Sequence, residues 1–173
     1  MIYMVEFDFS DPMLLDEWNK WYEGQIIKLL ALPGFRTVQR FKAVEPVRSP
    51  YLAIYDIDSR EVFSTPEYLA KGGRGAPGKW APLMIDWDRN IFPGVAPAVP
   101  MDSLLIIVDR LSDKDQEFPV GLNTLQCIGL DHTIHQRGYA LSKPGTEEMI
   151  VKQSKSLKTR VFRPLWPQRR KPL

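Results

Sequence analysis

The chain has 173 residues, 44% of them apolar, and a formal net charge of +2. Those totals suit one large globular domain or two small ones and exclude a disordered composition. No apolar run approaches the roughly 18 residues of a membrane span, and the single cysteine, Cys127, excludes an internal disulfide, so a reducing cytoplasm is the simplest expected location.

The opening MIYMVEFDFS carries Glu6 and Asp8 and no basic residue, which does not read as a signal peptide. It alternates instead: Tyr3, Val5, Phe7 and Phe9 point one way, and Met4, Glu6 and Asp8 the other. That pattern predicts a half-buried strand. Asp11-Pro12 supplies an N-cap and a proline at the first helical position. The predicted helix runs to about Ala31, with Trp18, Trp21, Tyr22, Gln25 and Leu29 on one face. Gly24 within it costs up to about 1 kcal/mol relative to alanine. Leu32-Pro33-Gly34-Phe35 stops the helix and feeds a strand.

Residues 35–44 and 51–58 predict an antiparallel hairpin around a turn with two prolines. Residues 59–70 read as helical, with Thr65-Pro66 restarting the helix. The stretch KGGRGAPGK, 71–79, is a loop by composition. Residues 86–92 close the half as a fourth strand, giving the order β-α-β-β-α-β. A linker, 95–100, follows. Beyond it, 103–108, 123–130, 134–142 and 159–165 read as strands and about 146–156 as a helix. The turn between the middle strands falls at Asp131-His132.

The expected fold is therefore α+β, with two fused ferredoxin-like (βαββαβ) units in one chain: residues 1–95, and a degenerate second unit at 101–166. Each unit leaves one sheet face bare. Packed face to face, the two would form an intramolecular α+β barrel with an internal cavity. Residues 167–173 form a basic tail. Eight basic and no acidic side chains follow Met149, yet no nucleic-acid-binding motif accompanies them, so the tail reads as a solvated terminus and nucleic acid is not the expected partner.

Certain residues carry a resemblance. Trp21-Tyr22-Glu23, then Leu29-Leu30-Ala31-Leu32-Pro33-Gly34-Phe35, then Arg40-Phe41 resemble the dimeric α+β barrel superfamily, in particular its EthD-like members, over about residues 1–95. The resemblance implies a small cofactor-independent enzyme acting on a cyclic or aromatic metabolite in a mostly apolar cavity, by isomerisation, cyclisation or related proton transfer. The alternative it implies is a non-catalytic ligand-binding or accessory protein of the same fold. Where the family usually has histidine, this chain has Gly24-Gln25. An amide donates and accepts hydrogen bonds but takes up no proton near neutral pH.

On this reading Gln25, Arg40 and His135 are the candidate catalytic residues. Trp18, Trp21, Tyr22, Tyr55 and Arg74 are the candidate substrate-binding residues. Gln25 is expected to be buried and bonded to Arg40, Tyr55 or a ligand. No metal or cofactor is expected; a small-molecule ligand is, and a homodimer stays open. GRGAPGK, 73–79, fits the letters of a phosphate loop, but Trp80 follows the lysine, Pro77 removes an N–H and a helix precedes. It reads better as a loop over the cavity mouth, with Arg74 and Lys79 drawing in an anion. His132 and His135, three apart on a strand, would face opposite ways and match no zinc spacing. Asp86 and Asp88 would share a face, more often a solvated one.

Overall fold

A computed structural model describes residues 1–73 and 76–171. The strands are β1 (Ile2–Phe9), β2 (Phe35–Ala43), β3 (Tyr51–Ile57), β4 (Met84–Phe92), β5 (Leu104–Arg110), β6 (Asn123–Gln126), β7 (Gly129–Leu130), β8 (Gln136–Ser142), β9 (Lys158–Pro164) and β10 (Arg169–Arg170). The α-helices are α1 (Leu15–Leu30), α2 (Pro66–Lys71) and α3 (Glu148–Gln153), with short 3-10 turns between. The architecture is α+β: one large antiparallel sheet and few helices.

The sheet runs β6-β8-β5-β9-β2-β3-β1-β4-β7, with β10 beside β2. β1 therefore lies between β3 and β4, and β5 between β8 and β9. The halves join at two seams. On one, β9 pairs with β2 through Phe41–Pro164 and Ala43–Phe162. On the other, β7 pairs with β4 through Asn90–Leu130 and Ile91–Gly129. The predicted strand 123–130 is split in two because it serves both sides of this second seam. β6 pairs with β8, and Cys127 and Ile128 carry the chain across, with the Ile128 N–H donating to the Ile91 carbonyl at 2.9 Å. The strands thus close on themselves.

Local chemistry sets the element ends. Asp11 accepts from the Met13 N–H at 2.9 Å and Pro12 opens the first turn, as the N-cap rule requires. After α1 the chain turns at Gly34, φ +82°, where a Cβ would lie 2.4 Å from the Val62 side chain. Only glycine fits both that torsion and that contact. The predicted helix 59–70 is two pieces, a 3-10 turn at Arg60–Ser64 and α2, because Pro66 forces Thr65 into an extended conformation at ψ 143°.

α1 covers one face of the first half. Trp18, Tyr22, Ile26 and Leu29 pack on Val5, Phe7, Val38 and Tyr55. The opposite face turns inward, where Met4, Phe41, Ile54, Phe92, Leu105 and Phe162 fill the space between the halves. The expected internal cavity is not where the sequence put it: these side chains occupy the barrel centre, and the linker closes it. Val99 exchanges hydrogen bonds with the Gln39 amide at 2.8 and 2.9 Å and packs, with Ala96, on the interior cluster.

The interior also holds four charges. Glu6 on β1 binds Arg137 at 3.2 Å and Arg160 at 2.6 Å; Asp109 on β5 binds Arg137 at 2.7 Å and Arg160 at 2.5 Å. All four side chains are buried, and their formal charges cancel. The sequence pattern assigned Glu6 to the half-buried strand's polar side; that side faces the barrel.

The basic terminus is also placed differently from expectation. Arg169 and Arg170 pair with Val38 and Thr37 as β10. The Lys171 N–H donates to Arg36 O at 2.9 Å and its Nζ to Leu32 O at 2.9 Å. Unpaired backbone along β2 above its short seam with β9 accounts for the docking.

The ion cluster makes a stability prediction. Arg137→Met leaves Glu6 and Asp109 buried and half-paired, and should lower unfolding free energy by about 3–5 kcal/mol. Burial alone would raise the Asp109 carboxyl above its ordinary 3.8; the Arg137 and Arg160 guanidiniums outweigh it and hold it below. A depressed carboxyl contributes stability that is present above the unfolded value and lost as pH falls through the folded one. Urea midpoints should therefore fall as pH drops below about 4, less steeply in Asp109→Asn. Equal slopes in the two proteins would contradict this assignment.

Candidate functional site

The pocket nearest the candidate residues lies between the helices and the sheet of the first half. It is lined by Tyr3 and Val5 of β1, Trp21, Tyr22, Gln25 and Leu29 of α1, Tyr68 of α2 and Trp87 of β4, with Gly72, Gly73, Ala76 and Pro77 at its edge. Its volume is about 30 Å³, room for one or two waters. A ligand pocket commonly has about 300–1,000 Å³, so a metabolite enters only if lining side chains turn aside.

The eight candidate residues separate. Trp21, Tyr22 and Gln25 line the pocket. Trp18 and Tyr55 are core: Trp18 stacks on Phe9 at 4.7 Å and Tyr55 on Tyr3 at 5.4 Å. Arg40 lies in a neighbouring groove, with Leu15, Asp16, Asn19, Glu23, Lys42, Tyr51, Leu165 and Trp166. His135 belongs to the second half, where its N–H donates to Arg110 O at 2.8 Å, and it is not among the pocket's lining residues. Arg74 lies outside the described residues. Lys79 makes an ion pair with Glu17 at 2.8 Å and stacks on Trp80.

Gln25 is buried, as its helical face requires, but its partner is neither Arg40 nor Tyr55. Its Nε2 donates to the Lys71 carbonyl at the end of α2. The amide thereby ties the two helices together and satisfies a carbonyl that the helix end leaves without an internal partner.

Burial and mutual proximity govern the tyrosines. Tyr22 is pushed up to about 12, chiefly by burial, with the Arg40 cation and the Tyr55 hydroxyl pulling the other way. Burial, then neighbouring tyrosines, holds Tyr3 and Tyr55 well above ordinary phenol values. Over the physiological range these side chains are neutral O–H groups that donate hydrogen bonds and act as no base. Arg40 sits over the rings of Trp18, Tyr22 and Tyr51 at 4.9, 4.7 and 5.3 Å. Its Nη2 donates to Asn19 Oδ1 at 2.7 Å.

Elsewhere the structure assigns local roles. Asp86, at φ +51°, pairs with Arg48 at 2.8 Å. Asp88 accepts from Thr133 Oγ1 at 2.6 Å. The Cys127 thiol is raised by burial and lies 3.3 Å from Asn90 Oδ1. Among the described residues no three His, Cys, Asp or Glu side chains converge in the manner of a metal site, and no helix is long and apolar enough to cross a membrane.

Tyr3, Tyr68 and Trp87 were not singled out from sequence as pocket residues. Tyr3 could have been: alternation already placed it on the face of Val5 and Phe7. Tyr68 and Trp87 depend on how α2 and β4 pack, which periodicity does not fix.

With this geometry in hand, a crystal structure of an anthrone oxidase-like protein proves similar over the whole fold. It aligns with a TM-score of 0.61 at 10% identity, covering 99% of this chain and 93% of that one. The likeness supports a dimeric α+β barrel-type fold. No protein-family model matches the sequence, and no curated protein matches it.

The raised tyrosines predict an alkaline transition. Unfolded phenols ionise near 10.0 and Tyr22 in the fold near about 12. Their stabilising effect is complete below the unfolded value and is lost as pH rises through the folded one. Stability should decline between about pH 10 and 12, and Tyr22→Phe should remove its share. A Tyr22→Phe protein whose stability falls as steeply as the wild type's between about pH 10 and 12 would contradict this.

Proposed function

We propose that the chain is a small cofactor-independent enzyme of the dimeric α+β barrel type that acts on a cyclic or aromatic ketone in the α1–sheet pocket. On this reading residues 1–95 and 101–166 are two fused ferredoxin-like units, the second degenerate, and the EthD-like resemblance of 18–41 reflects common descent. The shared inverted strand order of the two halves and the whole-chain likeness to an anthrone oxidase-like protein support it.

The observation that carries the chemistry is the set of neutral phenols against an aromatic wall. A substrate whose C–H lies next to a carbonyl loses its proton more readily when the resulting oxyanion meets positioned donors. Tyr22 O–H is the foremost donor, with the Arg40 cation behind its ring. Trp21 and Trp87 would stack on the rings of the substrate. Among the described residues the pocket lining includes no carboxylate or imidazole, so water or hydroxide takes the proton and the protein stabilises what is left. Gln25 holds the α1–α2 frame in place.

One observation favours the alternative, a ligand-binding protein without turnover: the Gln25 amide is already engaged by Lys71, leaving one fewer group free for a substrate. Incubating the protein with anthrone under argon in deuterated buffer separates the readings. The enzyme reading expects methylene deuteration faster than in buffer alone, and a drop of about 100-fold or more in Tyr22→Phe. Tryptophan quenching by anthrone with no faster exchange would establish the binder instead. Neither quenching nor exchange would sink both.

A further inference from the structure

Arg40, behind the ring of Tyr22, has hydrogen-bond donors that the pocket does not use. It is almost wholly buried, at 1% exposure, and among the described residues no carboxylate pairs with it. Its Nη2 is engaged by Asn19, while its Nε is buried without a partner. Burying a cation costs several kcal/mol unless something compensates. Three aromatic faces do part of that, and they leave donors over.

The groove that Arg40 lines is open, with a volume of about 370 Å³, twelve times the neighbouring pocket and within the size range of small-molecule sites. Trp166, which also lines it, carries a second buried donor, Nε1, without a partner. Lys42, two residues along β2 and hence on the same face, adds a second cation and lies over the Tyr51 ring at 5.7 Å. Asp16 and Glu23 stand on the α1 side of the groove. Glu23 acts on Arg40 through space without an ion pair. The groove is thus rich in unpaired donors and aromatic surface, and its strongest cation lacks a counter-ion.

We propose that this groove is a binding site for an aromatic carboxylate, held by the Arg40 guanidinium and Lys42, with its ring against Tyr51 and Trp166. A carboxylate matches the planar fork of an arginine. Its two aromatic side chains, Tyr51 and Trp166, favour a flat ring over a bare inorganic anion. The segment that carries Trp166 is fixed where the site needs it, because the Leu165 N–H donates to the Arg40 carbonyl at 2.9 Å. The site is separate from the α1–sheet pocket and does not depend on the enzyme reading.

Calorimetry and thermal unfolding of the whole protein with benzoate, benzamide and inorganic phosphate, at matched ionic strength, test it. Benzoate should bind and raise Tm by about 3 °C or more at ten times its Kd. Benzamide, which lacks the charge, should bind at least about tenfold more weakly. Lys42→Ala and Trp166→Ala should each weaken benzoate about fivefold. Gln25→Leu, confined to the neighbouring pocket, should leave it within about twofold. Arg40→Lys should abolish binding if it folds; the two rim variants carry the test if it does not. Benzoate no better than benzamide, no effect of either rim variant, or phosphate tighter than benzoate would each overturn the assignment.

Discussion

The buried pairing of Glu6 and Asp109 with Arg137 and Arg160 is the interaction on which the rest of the structure depends. Glu6 comes from the first half and the other three from the second. Two halves of one sheet that meet across an apolar gap can shift, because apolar contacts are not directional. Paired carboxylates and guanidiniums admit few arrangements, since each charge displaced from its partners is left in a medium of low dielectric. The cluster therefore specifies how the halves face. With that set, β9 meets β2 and β4 meets β7, and the first half packs its outer face against α1.

That outer face is where the halves differ. The first half carries the sixteen-residue α1 together with α2, and between them the aromatic layer. In the second half, residues 111–122 form no helix and α3 spans six residues. Phe118 and Leu122 lie close to Gly138 of β8, where a Cβ would come within 2.8 Å of the Leu122 side chain. A loop pressed against a strand leaves little room for a pocket. The asymmetry follows from length: a short connection can shield a sheet, whereas a helix standing off from it leaves room that side chains fill or leave empty.

Much of this was legible in the sequence. The alternation of 2–9, the helical spacing from Trp18 to Leu29, and the proline and glycine signals at 12, 33–34 and 66 located the elements of the first half because each rests on local stereochemistry. What was not legible was long-range. Glu6, Arg137 and Arg160 look like solvent-facing residues of half-buried strands. Only the meeting of the sheet's two halves makes that side an interior. Gln25 had the burial its periodicity demanded, yet its partner, Lys71 O, depends on where α2 ends. The terminal arginines carry charge that suggests a free tail, while their backbone finds the open edge beside Thr37 and Val38. Arg40 was legible as a residue of interest and not as a member of a groove, since Leu165 and Trp166 are far from it in sequence.

The two kinds of buried arginine also explain one another. Arg137 and Arg160 lie in the barrel beside two carboxylates, so their charge is cancelled within the fold. Burial alone would lower Arg137, and Asp109 and Glu6 more than reverse that. Arg40 has the opposite balance. Burial lowers it and nearby groups restore it only in part, yet a guanidinium so lowered still stays charged near neutral pH. It rests on ring faces, which attract a cation without supplying a compensating charge. The fold thus pairs two arginines directly with carboxylates on one side of its sheet and leaves a third without an ion pair on the other, among the described residues. That third arginine is the one that lines an open groove beside Tyr51 and Trp166, and the proposed carboxylate site rests on that coincidence.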